Sequence, residues 1–115
     1  MTPTARSMAL MKKRGYQVFR VEYWNSFARK RYDLIGCDLL VLKEGEPPTL
    51  VQVTTAEHRN ARINKLNGLQ SALLWVRIGG KILVHGWRPL TQSRRRYEVE
   101  EIEWEGLIDA SQLST

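Results

Sequence analysis

The chain has 115 residues, 43% of them hydrophobic and 26% charged, enough for one packed domain and too few for two. Its single cysteine, Cys37, excludes an internal disulfide and a cysteine metal cluster, and no apolar run approaches the roughly 20 residues of a membrane span. All 18 Lys and Arg precede Glu98, against six acids, while the remainder holds six acids and no base. A basic body of this kind favours a polyanionic partner, nucleic acid first, because Lys and Arg neutralise phosphates and release counterions. With no secretory signal pattern at the N-terminus, a cytoplasmic setting without a membrane partner is expected.

Pro3 to Arg14 is predicted as a helix, with Thr2 as its cap, Pro3 at the first helical position and Gly15 as its stop. Tyr16 to Trp24 alternates as a strand, and Glu22 near its end reads first as a solvated charge. Asn25 to Ile35 is expected to be a loop carrying Arg29, Lys30 and Arg31 in succession. Asp33 follows, five residues before Asp38, with Gly36 allowing a bend between them. It either offers a second carboxylate near Asp38 or makes a turn and pairs with Arg31.

Cys37 to Lys43 and Thr49 to Thr54 read as two strands joined by the turn Glu-Gly-Glu-Pro-Pro. Alternation places Asp38 with Leu40 and Leu42 on one face, and Gln52 with Thr54 on one face of the partner. Such polar groups are expensive to bury unless something binds there. Thr54 and Glu57 also fit a capping box for the next helix.

That helix runs from about Ala56 to Ile78, with a weak point at Asn67-Gly68. Ile63, Leu66, Leu69, Leu73 and Val76 form its apolar stripe, and Arg59, Arg62 and Lys65 form an adjoining basic ridge suited to a phosphate backbone. Lys81 to Trp87 is the next strand, in which a lone His85 reads as structural and Trp87 as core. Gln92 to Arg96 is expected to be a basic turn, with Arg94, Arg95 and Arg96 able to grip a phosphate. Tyr97 to Trp104 closes the set as an edge strand, and 105–115 is expected to fray.

The order helix, strand, strand, strand, helix, strand, strand, with Asp38 facing Gln52-Val53-Thr54 across a hairpin, resembles the PD-(D/E)xK nuclease superfamily. The passage Lys-Arg-Gly-Tyr-Gln-Val-Phe-Arg is similar to that of its Holliday-junction-resolvase-like members. The resemblance covers about 85 of the 115 residues. It implies an α/β, three-layer-like αβββαβ(β) restriction-endonuclease-like core with a mixed sheet, forming a single domain over 1–115. It further implies a phage or bacterial hydrolase, a Mg²⁺- or Mn²⁺-dependent DNA endonuclease acting on branched DNA, with a homodimer possible.

In that resemblance Asp38 takes the place of the family's Asp, Gln52 of its Glu and Thr54 of its Lys. The chain has no acid from Met1 to Val21, where the family carries a helical Glu, so Glu22 or Asp33 would supply the second carboxylate. Arg62 or Lys65 would supply the missing cation, Lys65 joining Asp38, Gln52 and Thr54 in the catalytic set. Arg29–Arg31, Arg59, Arg62, Lys65 and Arg94–Arg96 would hold DNA. Two other readings stay open: a DNA-binding module that has kept the fold and lost the chemistry, and a small phage protein that binds a host protein.

Overall fold

A computed structural model describes residues 1–90 and 93–109. Helix α1 (Pro3–Lys13) is followed by β1 (Gln17–Arg20), β2 (Tyr23–Asn25), β3 (Lys30–Tyr32), β4 (Leu39–Leu42) and β5 (Thr49–Thr55). A 3₁₀ turn (Ala56–His58) leads into α2 (Arg59–Asn67) and α3 (Gln70–Arg77), and β6 (Lys81–Leu90) and β7 (Ser93–Trp104) complete the chain. Five strands form a mixed sheet in the order β1-β4-β5-β6-β7, while β2 and β3 pair only with each other. The β5–β6 pair is parallel, as a helical crossover requires, and the other pairs are antiparallel.

The sheet is covered on both faces. Met11 of α1 packs with Leu39, Val41, Val51, Val53 and Leu83. Ile63 and Leu66 of α2 and Ala72 of α3 pack with Leu50, Ile82, Val84 and Trp104 on the other side. Alternate residues of β5 therefore go to opposite layers, and residues 49–54 are all buried, as befits a central strand. The result is an α/β architecture of three layers. Among the described residues no helix is long and apolar enough to cross a membrane.

Local sequence explains where several elements stop. The Thr2 hydroxyl caps α1 by accepting from Ala5 N at 3.1 Å. The helix expected over 56–78 is broken between Asn67 and Gln70. At Gly86 of β6 an added Cβ would come within 3.1 Å of Ala56 Cα, so glycine lets the 3₁₀ turn and the start of α2 lie against the strand.

Other expectations need correction. The first strand ends at Arg20 instead of Trp24, and the loop expected over 25–35 contains strand β3, which joins β2 in a separate hairpin. The Thr54–Glu57 capping box does not form. β5 continues through Thr55, pairing with β6 as far as Trp87, and neither Thr55 nor His58 makes a side-chain cap bond. Ladder hydrogen bonds have displaced the local cap. The basic segment expected to turn is in β7 from Ser93 onwards; Thr91, Gln92 and the Arg94 side chain lie outside the described residues. The start of the tail is docked: Asn67 Oδ1 accepts from Ile108 N at 3.0 Å, and Ile108 packs on the core. Residues 110–115 lie outside the described residues.

Candidate functional site

The cavity that matters opens where the N-terminal end of β4 meets β5 and α2. Its position follows from a tight turn. Ile35 (φ 54°) and Gly36 (φ 71°) reverse the chain between Leu34 and Cys37, and a Cβ at Gly36 would press on Leu69 at 3.0 Å. The turn delivers Asp38 into the sheet, where its N–H donates to Val51 O and its carbonyl accepts from Val21 N, both at 2.9 Å. With that pairing made, the chain after Val21 turns away, and Glu22 is directed at Asp38 instead of out to solvent.

The cavity has a volume of about 90 Å³. Its floor is Asp38, only 8% exposed, whose Oδ2 accepts from Val53 N at 2.7 Å and faces Gln52 Nε2 at 3.4 Å. Glu22, Arg31 and Asp33 form one wall, Arg62 and Lys65 of α2 another, and Thr4 of α1 borders the rim. Asp38 and Gln52 thus share a face across the hairpin. Thr54 is buried on β5 and is not among the residues lining the cavity.

The electrostatics are unusual because two carboxyl groups meet. Burial, then a hydrogen bond with Glu22, push Asp38 up to about 7, against the pull of the Val53 N–H. Glu22 is held below the usual range by that same bond from Asp38 and by Arg31, against its own burial. Two carboxyl groups can share a hydrogen bond only when one keeps a proton. Arg31 Nε and Nη2 donate to Glu22 Oε1 at 2.8 and 2.6 Å, so Arg31 is the partner of Glu22 and not of Asp33. Asp33 Oδ1 accepts from Gly36 N at 3.1 Å and makes the turn. Burial, then the neighbouring acids, raise the Cys37 thiol out of reach of ionisation.

The remaining basic residues are scattered. Arg59, expected on the exposed ridge, is 5% exposed and ion-paired with Glu100 of β7. Arg29 and Lys30 are exposed at the end of the β2–β3 hairpin, and Arg95 and Arg96 are exposed on β7, separated from β5 by β6. No known protein family, curated protein or solved structure matches the chain. The site is therefore read from its own donors.

Those donors suit a hard divalent cation. Asp38 and Glu22 line the same cavity, where one dication would neutralise both groups, and the Gln52 amide could turn its oxygen to the same point. Among the described residues no three His, Cys, Asp or Glu converge on one point, so the set is two carboxylates and an amide.

A second buried polar cluster escaped sequence reasoning. Trp87 Nε1 donates to Ser7 Oγ at 2.8 Å, and Ser7 Oγ lies 2.8 Å from His85 Nδ1. His85 Nε2 lies 2.7 Å from Glu101 Oε2, which also accepts from Arg14 Nη1 at 2.6 Å. Ser7 Oγ accepts from Trp87, and each ring nitrogen of His85 has a partner, Ser7 at Nδ1 and Glu101 at Nε2. The bond from His85, then that from Arg14, pull Glu101 down to about 2 despite burial.

Proposed function

We propose that this chain is a nuclease of the PD-(D/E)xK kind, hydrolysing phosphodiester bonds of DNA with Mg²⁺ or Mn²⁺. The observation that carries the reading is the convergence of Asp38, Glu22 and Gln52 with Arg62 and Lys65 on one polar cavity. Asp38 and Glu22 would hold the cation, with Gln52 as a neutral oxygen donor. When bound, the cation supplies charge neutralisation at a phosphate oxygen and a more acidic water. Arg62 and Lys65 bind the phosphate and offset charge developing on it, the part a lysine at position 54 would have played. The order of α1, β1, β4, β5, α2–α3 and β6 supports the same reading.

Labelled branched, duplex and single-stranded DNA should be incubated with Mg²⁺, Mn²⁺ or EDTA, using the wild type and Asp38→Asn. Cleavage that needs the cation and Asp38 is expected, with branched DNA as the favoured substrate. Binding without cleavage in every arm would select the second reading, a nuclease-fold DNA-binding module. One observation favours that alternative: Gln52 brings no charge to the cavity and Thr54 does not line it.

A further inference from the structure

The β2–β3 hairpin carries aromatic surface that the fold does not use. Tyr23 is 57% exposed, Trp24 63% and Phe27 at the tip 101%. The ribbon belongs to no larger sheet. Tyr23 and Tyr32, opposite one another in the register, stack at 5.2 Å, which accounts for that pair as the hairpin's own stabilisation. Phe27 has no such role, since a ring in full solvent contributes nothing to folding, and Trp24 is left nearly two-thirds exposed.

The tip is nevertheless built to hold its shape. Asn25 Oδ1 accepts from Phe27 N at 3.0 Å and from Ala28 N at 3.1 Å, and Arg29 is fixed at φ 47°. Phe27 is thus presented on a preformed turn.

Charge and position point to the occupant. Arg29 and Lys30, both exposed, adjoin the aromatic tip. Trp24 is the cross-strand partner of Arg31, so the two share a face of the ribbon, and Arg31 is anchored on Glu22 in the cavity wall. Trp24 therefore shares a ribbon face with a residue that lines the cavity, and Arg29 lies at the exposed end of the same hairpin. Alternating aromatic faces and cations suit a strand whose bases are unstacked, because each base offers a π-face and each step a phosphate.

We propose that the β2–β3 hairpin is a stacking platform for unpaired bases, so that single-stranded or locally opened nucleic acid is preferred over continuous duplex. This rests on the reading of nucleic acid as the partner and adds which form of it the site selects. The bases stack on Trp24 and Phe27, and the backbone is held by Arg29 at the tip, while Lys30 lies on the ribbon's other face over Tyr32.

The test is equilibrium binding in EDTA, so that cleavage plays no part. Fluorescein-labelled single strands and the matching duplex are titrated with wild type, Trp24→Ala, Trp24→Phe and Phe27→Ala, and thermal melts confirm that each variant folds. The wild type should bind the single strand more tightly than the duplex. Trp24→Ala and Phe27→Ala should each weaken single-strand binding about tenfold and leave duplex binding unchanged, with Trp24→Phe recovering most of the loss. Variants that leave single-strand binding unchanged, or weaken both forms equally, overturn the platform while DNA remains the partner. A wild type that binds neither form overturns both the platform and the proposed function. Loss in the variants of binding to anionic phosphatidylglycerol vesicles, or of self-association in sedimentation, with single-strand binding intact, overturns the platform in favour of that other occupant.

Discussion

Two of the buried polar clusters among the described residues, those around His85 and Asp38, are opposites. Around His85 every group has its counterpart: Trp87 donates to Ser7, Ser7 meets one ring nitrogen, Glu101 meets the other, and Arg14 closes the series. Around Asp38 the groups have donors, Val53 N–H and Gln52 for Asp38 and Arg31 for Glu22, but two acids are set against each other and drive their pKa values apart. A polar cluster that satisfies itself fastens elements together, and one that does not is a place for something else. The contrast separates the site from the scaffold better than burial does, since His85 is completely buried and Asp38 nearly so.

Mutation can break the comparison, and the largest effect should come from the closed cluster. His85→Ala leaves Ser7 and Glu101 without their common partner and opens a cavity, at a cost of about 3–5 kcal/mol in urea unfolding. DNA binding by the fraction that remains folded should be retained. Loss of binding by folded protein would place the cluster in the site.

Asp38→Asn should act in the opposite sense. A carboxyl group whose folded value is raised loses stability as pH climbs from its unfolded value, about 4, to its folded value, about 7. The lowered Glu22 works against this, so the wild-type curve falls less than Asp38 alone would make it. The asparagine keeps an acceptor for Val53 N and can donate permanently to Glu22. At pH 8 it should be more stable than the wild type by about 1–2 kcal/mol, and at pH 4 nearly equal to it. Mg²⁺ or Mn²⁺ should return the lost stability to the wild type at pH 8 and do nothing for the variant. Parallel pH profiles for the two proteins would show that the carboxyl groups do not compete for one proton.

Gln52→Glu sharpens the comparison by adding a third negative group to the open cluster. Cation affinity in calorimetry should rise about tenfold, because carboxylate count sets the strength of such sites. Unchanged affinity would remove Gln52 from the donor set. The smallest effect should be that of Glu101→Gln, present near neutrality and vanishing in acid. A lowered carboxylate contributes stability that is present above about 4.5 and lost as pH falls toward about 2. The glutamine should therefore be less stable than the wild type near neutrality and converge with it as pH falls toward about 2.

Local chemistry made some of this legible. Thr2, Pro3 and Gly15 bracket α1 by capping rules alone, and the alternation around Glu44–Pro48 is enough to set Asp38 against Gln52. Arg62 and Lys65, three residues apart, follow from helical spacing. Glu22 was harder, because nothing in its alternation says that the strand ends at Arg20; the end is imposed by Asp38 pairing with Val21 from a distance. β3, three residues long, is too short for a period to show. The capping signature at Thr54 was a true local preference overruled by the β5–β6 ladder. Ser7 and His85 are 78 residues apart, and no spacing rule joins them.

That separation bears on the order in which the molecule assembles. The cavity draws all its lining from Thr4 to Lys65, so its parts are synthesised before β6 begins. The fastenings of α1 come last: Ser7 waits for Trp87, 80 residues later, and Arg14 for Glu101, 87 residues later. During synthesis α1 can dock early, through Met11 on Leu39, Val41, Val51 and Val53, and receives these polar ties only afterwards. Contacts of such long range close late because their loop entropy must be overcome first. A ribosome pausing before β7 would hold a chain whose cavity lining is complete and whose first helix still lacks its tie to Glu101.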